Sequence, residues 1–155
     1  GWRTGYEWCK ELARRCGVQY MRHSEKVASV DLPSDFLDWK PTCHCSAELA
    51  KLWTTMLERS KDQPGQLFNV WGHSYEFEDD LGWDRIERFA ALTSETPDVW
   101  FATKGEVYDY VMAWRRLDWS LDGTMARNPS AMPVWFLRDG QTIKIDGGQI
   151  LELEK

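Results

Sequence analysis

Apolar residues recur every three to four positions in four segments of the chain, which is the spacing of one buried helix face. Two of these segments open with a capping-box pattern, Thr4-x-x-Glu7 and Thr103-x-x-Glu106. Ser46 is expected to cap another segment. Its apolar stripe consists of Leu49, Leu52, Trp53, Met56 and Leu57. The pattern predicts α-helices over about 4–16, 46–57, 83–92 and 103–116.

Short apolar runs lie between these helices, at 18–21, 27–30, 67–71 and 99–102. Runs of this length that alternate with helices are typical of parallel strands in an α/β fold. We therefore expect a parallel sheet or a segment of a barrel, with functional loops at the carboxyl ends of its strands.

The pattern changes after Leu117. Short strands are predicted at 134–137, 142–145 and 150–153, separated by Asp-Gly turns that begin at Asp139 and Asp146. We expect residues 118–155 to form a β-strand appendage packed on a barrel segment formed by residues 1–117. An edge-covering appendage is preferred here to a separate binding module.

Composition and charge exclude two classes of partner. The 155 residues carry a net charge of −6, and phosphate backbones bind basic surfaces, so we expect no nucleic acid partner. No run reaches the ~18 apolar residues of a membrane helix, so we expect no membrane partner. Four cysteines leave the compartment open, with the cytoplasm favoured, and the oligomeric state is open too. Ten tryptophans suit both core packing and stacking on sugar rings.

His73 is the most informative candidate for chemistry. It follows the predicted strand 67–71 and lies on a polar stretch that leads into the next helix. Loops after strands commonly carry catalytic groups, and imidazole titrates near neutrality, which suits proton transfer. The residues alone leave open the alternative that His73 is a partly buried structural histidine.

The segment around His73 resembles a known family. Residues 67–78 read Leu-Phe-Asn-Val-Trp-Gly-His-Ser-Tyr-Glu-Phe-Glu, which is similar to the last conserved motif of the polysaccharide deacetylases (NodB-homology fold). The similarity continues upstream over residues 31–44, and downstream over residues 99–110 and the tail that begins Asn128-Pro-Ser, in one collinear order. The resemblance covers most of the chain. It implies an α/β fold, with a partial (β/α) barrel of the polysaccharide deacetylase type and a small carboxyl-terminal β appendage.

The resemblance also implies roles for individual residues. His73 would act as the acid that protonates the leaving amine. Asp35 or Asp38, from a segment similar to the family's Asp-x-x-Asp-Trp motif, would orient the His73 ring. The residues expected to bind substrate are Trp39, Trp71 and Tyr75. Glu76 is expected to be a loop hydrogen-bonding group, and His44 a structural histidine.

The metal-binding motifs of that family are missing from this sequence. The family holds a divalent metal with an Asp of a Thr-Phe-Asp-Asp-type motif and a His-x-x-x-His pair. This chain has His23, His44 and His73, and no two of them have that spacing. The segment from Cys43 to Cys45 suggests zinc but lacks the usual Cys-x-x-Cys spacing. We therefore expect a divalent metal, zinc by preference, in the full-length protein and none in this chain alone.

Taken with the resemblance, these observations predict the carboxyl-terminal half of a metal-dependent hydrolase. A polysaccharide deacetylase-like enzyme would remove acetyl groups from an N-acetylated sugar or polysaccharide, with carbohydrate as its partner. This chain alone is expected to be inactive, because an acid without a metal-bound water leaves nothing to attack the amide. The alternatives are a non-catalytic carbohydrate-binding remnant of the fold and a purely structural or regulatory domain.

Overall fold

The structure, a computed structural model, describes residues 2–23, 25, 29–63 and 65–153. The chain divides into two compact units, Gly1–Val99 and Trp100–Lys155. Both units contain helix and strand, which agrees with the α/β class expected from the sequence. The boundary lies before the last helix, whereas the sequence pattern placed it between residues 117 and 118. Within the described ranges, no helix has both the length and the apolar character needed to cross a bilayer.

The first unit contains three α-helices and one pair of parallel strands in its described part. In chain order its regular elements are α1 (Trp2–Arg15), a 3-10 turn (Phe36–Asp38), β1 (Cys43–His44), α2 (Leu49–Ser60), β2 (Val70–Trp71), a π-helical turn (Phe77–Leu81) and α3 (Trp83–Ser94). β1 pairs with β2 in parallel, with Cys43 opposite Val70 and His44 opposite Trp71. The two strands therefore end at the same edge of the pair.

The apolar stripe predicted on α2 forms the core beside this strand pair. Trp53 and Met56 are buried and pack with Val30. The Trp53 ring meets Phe68 and Phe89 edge to face, at centroid distances of 5.2 and 6.0 Å. Aromatic pairs of this geometry add to the stability that burial provides. They hold α2 and α3 against the segment that leads into β2.

The second unit consists of one helix and five short strands in the part of it that is described. These are α4 (Lys104–Arg115), β3 (Asp118–Trp119), β4 (Met125–Arg127), β5 (Val134–Arg138), β6 (Gln141–Ile145) and β7 (Ile150–Glu152). β3, β4 and β7 form one antiparallel sheet, and β5 and β6 form a hairpin. Ala113 and Leu117 lie in one buried core with Val134, Phe136 and Ile145. This shared core explains why α4 belongs with the strands that follow it.

Several predicted strands differ from the structure. Residues 18–21 and 99–102 form no strand. Close to the first of these, Arg22 makes a single parallel bridge to Trp39, beside the 3-10 turn. The predicted strand 27–30 lies partly outside the described residues. With one parallel strand pair in the described chain, the structure does not show a partial barrel.

The capping predictions had mixed outcomes. Thr103 Oγ1 accepts a hydrogen bond from the Glu106 N–H, and the Glu106 carboxylate accepts one from the Thr103 N–H, which confirms this capping box. The box predicted at Thr4 is wrong, because α1 begins earlier, at Trp2. Ser46 does not cap α2 either, since that helix begins three residues later; the Ser46 hydroxyl instead lies near the His44 ring.

Candidate functional site

The edge at which β1 and β2 end carries four polar side chains, which we call the Glu76 cluster: His44, Cys45, His73 and Glu76. His44 closes β1 and Cys45 follows it, while His73 and Glu76 lie in the loop after β2. The Cys45 N–H donates to the Trp71 carbonyl at 2.8 Å, which continues the strand pairing into the loops. The parallel pairing thus makes neighbours of Cys45 and Glu76, which are 31 positions apart in sequence.

Glu76 lies at the centre of this cluster. Its Oε2 accepts hydrogen bonds from the His73 backbone N–H at 2.9 Å and from the Cys45 thiol at 3.1 Å. Its Oε1 lies 3.1 Å from His44 Nε2 and 3.5 Å from His73 Nδ1. The hydrogen bond from the His73 backbone, followed by that from Cys45, lowers the pKa of Glu76 to about 2. Glu76 is therefore a carboxylate at neutral pH.

Gly72 allows the loop after β2 to lie directly on Cys45. A Cβ at position 72 would overlap Cys45 Sγ, and it would lie 2.9 Å from Cys45 Cβ and 3.1 Å from Glu76 Oε2. After Gly72 the chain turns into helical geometry, with the Glu76 N–H donating to the His73 carbonyl at 3.1 Å. The π-helical turn Phe77–Leu81 follows, and such turns are rare and often lie at functional sites.

Arg85 of α3 fixes the loop that follows β1. Its guanidinium donates to the Cys45 carbonyl at 3.0 Å and to the Ser46 carbonyl at 2.9 Å, and it also contacts the Ala47 carbonyl. One rigid, planar group thereby holds three successive backbone oxygens. The position of the Cys45 side chain consequently depends on α3 as well as on the two-residue strand β1.

Cys43 and Cys45, the two buried cysteines, are thiols at neutral pH. Burial raises the pKa of Cys43 to about 11, and the neighbouring Cys45 adds to the shift. Burial also raises the pKa of Cys45, and the hydrogen bond and negative charge of Glu76 act in the same direction. The sulfur of Cys45 lies 3.8 Å from the nearer ring nitrogen of His44 but only 3.1 Å from Glu76 Oε2. Nucleophilic catalysis needs a thiolate, so this arrangement does not suit it.

The two histidines of the cluster differ in exposure. The His44 ring is mostly buried and meets Trp71 edge to face at 4.7 Å. The His73 side chain is 49% exposed and stacks on Tyr75, with ring centroids 5.0 Å apart. Glu76 and the Tyr75 hydroxyl both lie near His73 Nδ1. No described residue hydrogen-bonds His73 Nε2, so that nitrogen is available to a ligand.

Asp35, offered by the resemblance as a partner of His73, lies instead beside α1. Its Oδ2 contacts Lys10 Nζ and an Arg14 guanidinium nitrogen, each at 3.2 Å. Its Oδ1 accepts the Leu37 N–H at 2.9 Å and so caps the 3-10 turn. These contacts give Asp35 a structural role in holding α1 to this turn.

Asp38, the other aspartate offered, lies near a different histidine. Its Oδ1 is 3.9 Å from His23 Nδ1. The carboxylate beside the His73 ring belongs to Glu76, three residues further along the chain. The structure therefore pairs His73 with Glu76 and not with Asp35 or Asp38, because a local turn brings the nearer carboxylate to the ring.

The three aromatic residues expected to bind substrate occupy different environments. Trp39 is only 2% exposed and packs edge to face on Phe36, so it presents no ring face to a ligand. Trp71 is partly covered by Arg22, whose guanidinium lies 4.7 Å from the ring centroid. Tyr75 is 57% exposed. Of the three, Tyr75 offers the most accessible ring.

Comparisons with protein-family models, with curated proteins and with solved structures found no match for this chain. The resemblance to polysaccharide deacetylases therefore stays a prediction from the motifs quoted above.

The sequence pattern predicts Glu76 only as a loop hydrogen-bonding group, and it does not predict the contact between Glu76 and Cys45. One local signal was present, because Glu76 follows His73 by three residues, the spacing of one helical turn. Gly72, directly before His73, was a second signal for close backbone approach. The contact with Cys45 has no local signal, since it depends on the pairing of β1 with β2.

Proposed function

We propose that this chain carries the acid group of a hydrolase that removes acetyl groups from an N-acetylated sugar or polysaccharide. In this proposal it is the carboxyl-terminal half of a deacetylase-like partial (β/α) barrel. The observation that supports it is the pairing of the exposed His73 ring with the Glu76 carboxylate after β2. An accessible imidazole whose other nitrogen is held by a partner is well suited to general acid catalysis.

Hydrolysis of an acetamide leaves an amine that must gain a proton. Water adds to the acetyl carbonyl, and the C–N bond then breaks with its electron pair going to nitrogen. A protonated His73 would donate its Nε2 proton to that nitrogen, releasing acetate and a free amine. Glu76 Oε1, 3.5 Å from His73 Nδ1, would orient the ring and stabilise the imidazolium. Contacts of this length often tighten when substrate binds.

The attacking water needs its own activation. In the family that the chain resembles, a divalent metal supplies it by lowering the pKa of a bound water. The family's His-x-x-x-His pair does not occur in this sequence, so we assign no step of that kind to these residues. The part assigned to this chain is to orient the substrate and to deliver the proton.

The surface around His73 suits a sugar ligand. The Tyr75 ring is exposed and lies nearly parallel to the His73 ring, with an angle of 22° between the two planes. Sugar rings pack on flat aromatic faces, so a sugar could pack on the face of Tyr75 that His73 does not cover, next to the loop that carries the proposed acid. The net charge of −6 disfavours phosphate polymers, and the resemblance implies carbohydrate as the partner.

The test measures acetate release and binding separately. The natural protein that contains this chain is incubated with N-acetylglucosamine oligomers, acetate is quantified, and binding is followed by titration calorimetry. Acetate release above that of heat-inactivated protein would support the proposal. Binding without release would favour the carbohydrate-binding alternative. If the protein neither binds the oligomers nor releases acetate, both the deacetylase proposal and the carbohydrate-binding alternative are contradicted.

A further inference from the structure

We propose that His44, Cys45 and Glu76 form a zinc site beside the His73 ring. This inference goes beyond the proposed function, because it concerns metal binding by this chain whatever reaction the protein catalyses. It also departs from the expectation that this chain alone binds no metal. That expectation depended on the spacing of the histidines in the sequence, whereas in the structure the ring nitrogens of His44 and His73 both lie beside Glu76 Oε1.

The spacing of the donor atoms fits one zinc ion. His44, Cys45 and Glu76 each offer a ligand atom, and these atoms lie within 4.8 Å of one another. Zinc bonds are about 2.3 Å to sulfur and about 2.0–2.2 Å to nitrogen or oxygen, so tetrahedral ligand atoms lie roughly 3.3–3.6 Å apart. Here His44 Nε2 is 3.1 Å from Glu76 Oε1, and Cys45 Sγ is 4.0 Å from His44 Nε2. To complete the geometry, the Cys45 sulfur would have to move closer to the other two ligand atoms.

The donor types select zinc over the common hard cations. A thiolate, an imidazole and a carboxylate together suit zinc, whereas Mg²⁺ and Ca²⁺ take oxygen ligands almost exclusively. Three protein ligands with a fourth position for water are typical of catalytic zinc, while structural sites usually have four protein ligands. On binding, the Cys45 thiol loses its proton to solvent and the sulfur–zinc bond replaces its hydrogen bond to Glu76.

Neighbouring groups already hold the ligands in place. Ser46 holds the His44 ring at Nδ1, which lies 2.9 Å from Ser46 Oγ and accepts the Ser46 N–H at 3.3 Å. Zinc binding at Nε2 would move the ring proton, by way of solvent, to Nδ1, where Ser46 Oγ can accept it. The His73 backbone N–H occupies Glu76 Oε2, which leaves Oε1 as the metal ligand. Cys45 is 2% exposed, so the site is shielded from water on the thiol side. Such supporting contacts distinguish the site formed by His44, Cys45 and Glu76 from an exposed cluster of acidic side chains.

The competing explanation is a metal-free hydrogen-bonded cluster, and zinc stoichiometry separates the two. The full chain, with the exposed Cys9 and Cys16 changed to Ser as a background, is dialysed against chelator and then against micromolar Zn²⁺. We expect one zinc ion per folded chain by elemental analysis. Binding of Co²⁺ in its place should give a thiolate-to-cobalt charge-transfer band and the intense visible bands of a tetrahedral site.

Three variants then test the ligand assignment. Glu76→Gln and Cys45→Ser should each weaken zinc affinity by at least about tenfold, measured by competition with a chromophoric chelator. His73→Ala should leave stoichiometry and affinity nearly unchanged, because His73 is not a ligand here. Circular dichroism checks that each variant is folded. If Cys45→Ser does not fold, the cobalt spectrum of the protein with Cys45 intact still tests whether the thiolate is a ligand. Only trace zinc in the background protein, a cobalt complex without the charge-transfer band, or unchanged affinity in Glu76→Gln would overturn the proposal.

Discussion

The backbone N–H of His73 donates to Glu76 Oε2 at 2.9 Å, while the ring of the same histidine lies 3.5 Å from Glu76 Oε1. One carboxylate thus fixes both the turn after β2 and the histidine ring that the turn presents. The turn is closed further by the Glu76 N–H, which donates to the His73 carbonyl. A substitution of the His73 ring alone would leave this backbone arrangement intact, so its chemical role and its structural role can be separated by experiment.

The first prediction concerns His73→Ala in the natural protein. We expect deacetylase turnover to fall by about 10²- to 10⁴-fold, which is the typical contribution of a general acid. The melting temperature should change little, because half of the His73 side chain is exposed and the backbone bond to Glu76 does not involve the ring. The measurements are acetate release and a thermal melt on the same preparation.

His23→Ala is the matched control for this prediction. His23 is also a histidine of the first unit, but it packs on Tyr6 at a ring distance of 4.2 Å and is not part of the Glu76 cluster. Its loss should leave turnover per folded molecule unchanged. A His73→Ala protein that melts earlier but keeps full turnover would remove His73 from the mechanism.

The second prediction concerns Gly72→Ala. The new methyl group would overlap Cys45 Sγ and would lie 2.9 Å from Cys45 Cβ, so the loop or the thiol must move. Overpacking of this kind costs roughly 1–3 kcal/mol, and we expect that loss in the free energy of unfolding measured with urea. The loop should also become more accessible to proteolysis.

Gly5→Ala is the opposite case. Gly5 lies within α1, and a Cβ there meets no atom within 4 Å among the described residues. Alanine in a helix interior is about 0.5–1 kcal/mol more favourable than glycine, so this variant should be slightly more stable. Equal effects of the two substitutions would show that Gly72 is not needed for close approach.

Much of the helical structure could be predicted from the sequence, because helix signals are local. The stripe of α2 and the capping box at Thr103 depend on residues three or four positions apart, and both are present. The hairpin of β5 and β6 could be predicted for the same reason, since its turn contains Asp139 and Gly140. Sequence pattern is therefore a good guide wherever the partner residue is a near neighbour.

The strands of the first unit and the site could be predicted only in part. Residues 18–21 are apolar enough for a strand, but they form no ladder of hydrogen bonds with another strand. The Met21 N–H donates to the Phe36 carbonyl, and the Trp39 N–H donates to the Met21 carbonyl, on either side of the 3-10 turn. These bonds support only a single bridge, between Arg22 and Trp39. The meeting of Cys45 with Glu76 depends on the register of β1 against β2. Short-range patterns carry no information on that register.

The third prediction concerns Asn128→Ala in the second unit. The Asn128 side chain is fully buried; its Nδ2 donates to the Met132 carbonyl at 2.8 Å and to the Ile145 carbonyl at 3.2 Å. Its Oδ1 accepts from the Ser130 N–H and hydroxyl. Removing it leaves buried polar groups without partners, which costs about 1–3 kcal/mol. We expect this loss in the free energy of unfolding measured by urea titration. Ser130→Ala, which removes only the hydroxyl donor to Asn128, should lower that free energy by less. A larger loss in Ser130→Ala than in Asn128→Ala would contradict the central role of the Asn128 side chain.

The last prediction concerns the acid stability of the second unit. Asp122 Oδ1 accepts hydrogen bonds from Ser120 Oγ at 2.7 Å and Thr124 Oγ1 at 2.8 Å, and also from the Thr124 backbone N–H. These bonds lower the pKa of Asp122 from 3.8 to about 2. Because the folded pKa is below the unfolded one, the carboxylate stabilises the fold above pH 3.8, and this stability is lost as the pH falls through about 2.

Asp122→Asn removes this contribution. We therefore expect the variant to be less stable than the parent at neutral pH, with a difference that shrinks as the pH falls from about 4 toward about 2. Urea unfolding midpoints, followed by circular dichroism across this range, measure the difference. Asp139→Asn is the control, because the Asp139 side chain is 90% exposed and its nearest cation, Arg138, is 3.5 Å away. A difference between Asp122→Asn and the parent that stays constant from neutral pH to pH 2 would show that these hydrogen bonds do not favour the charged form.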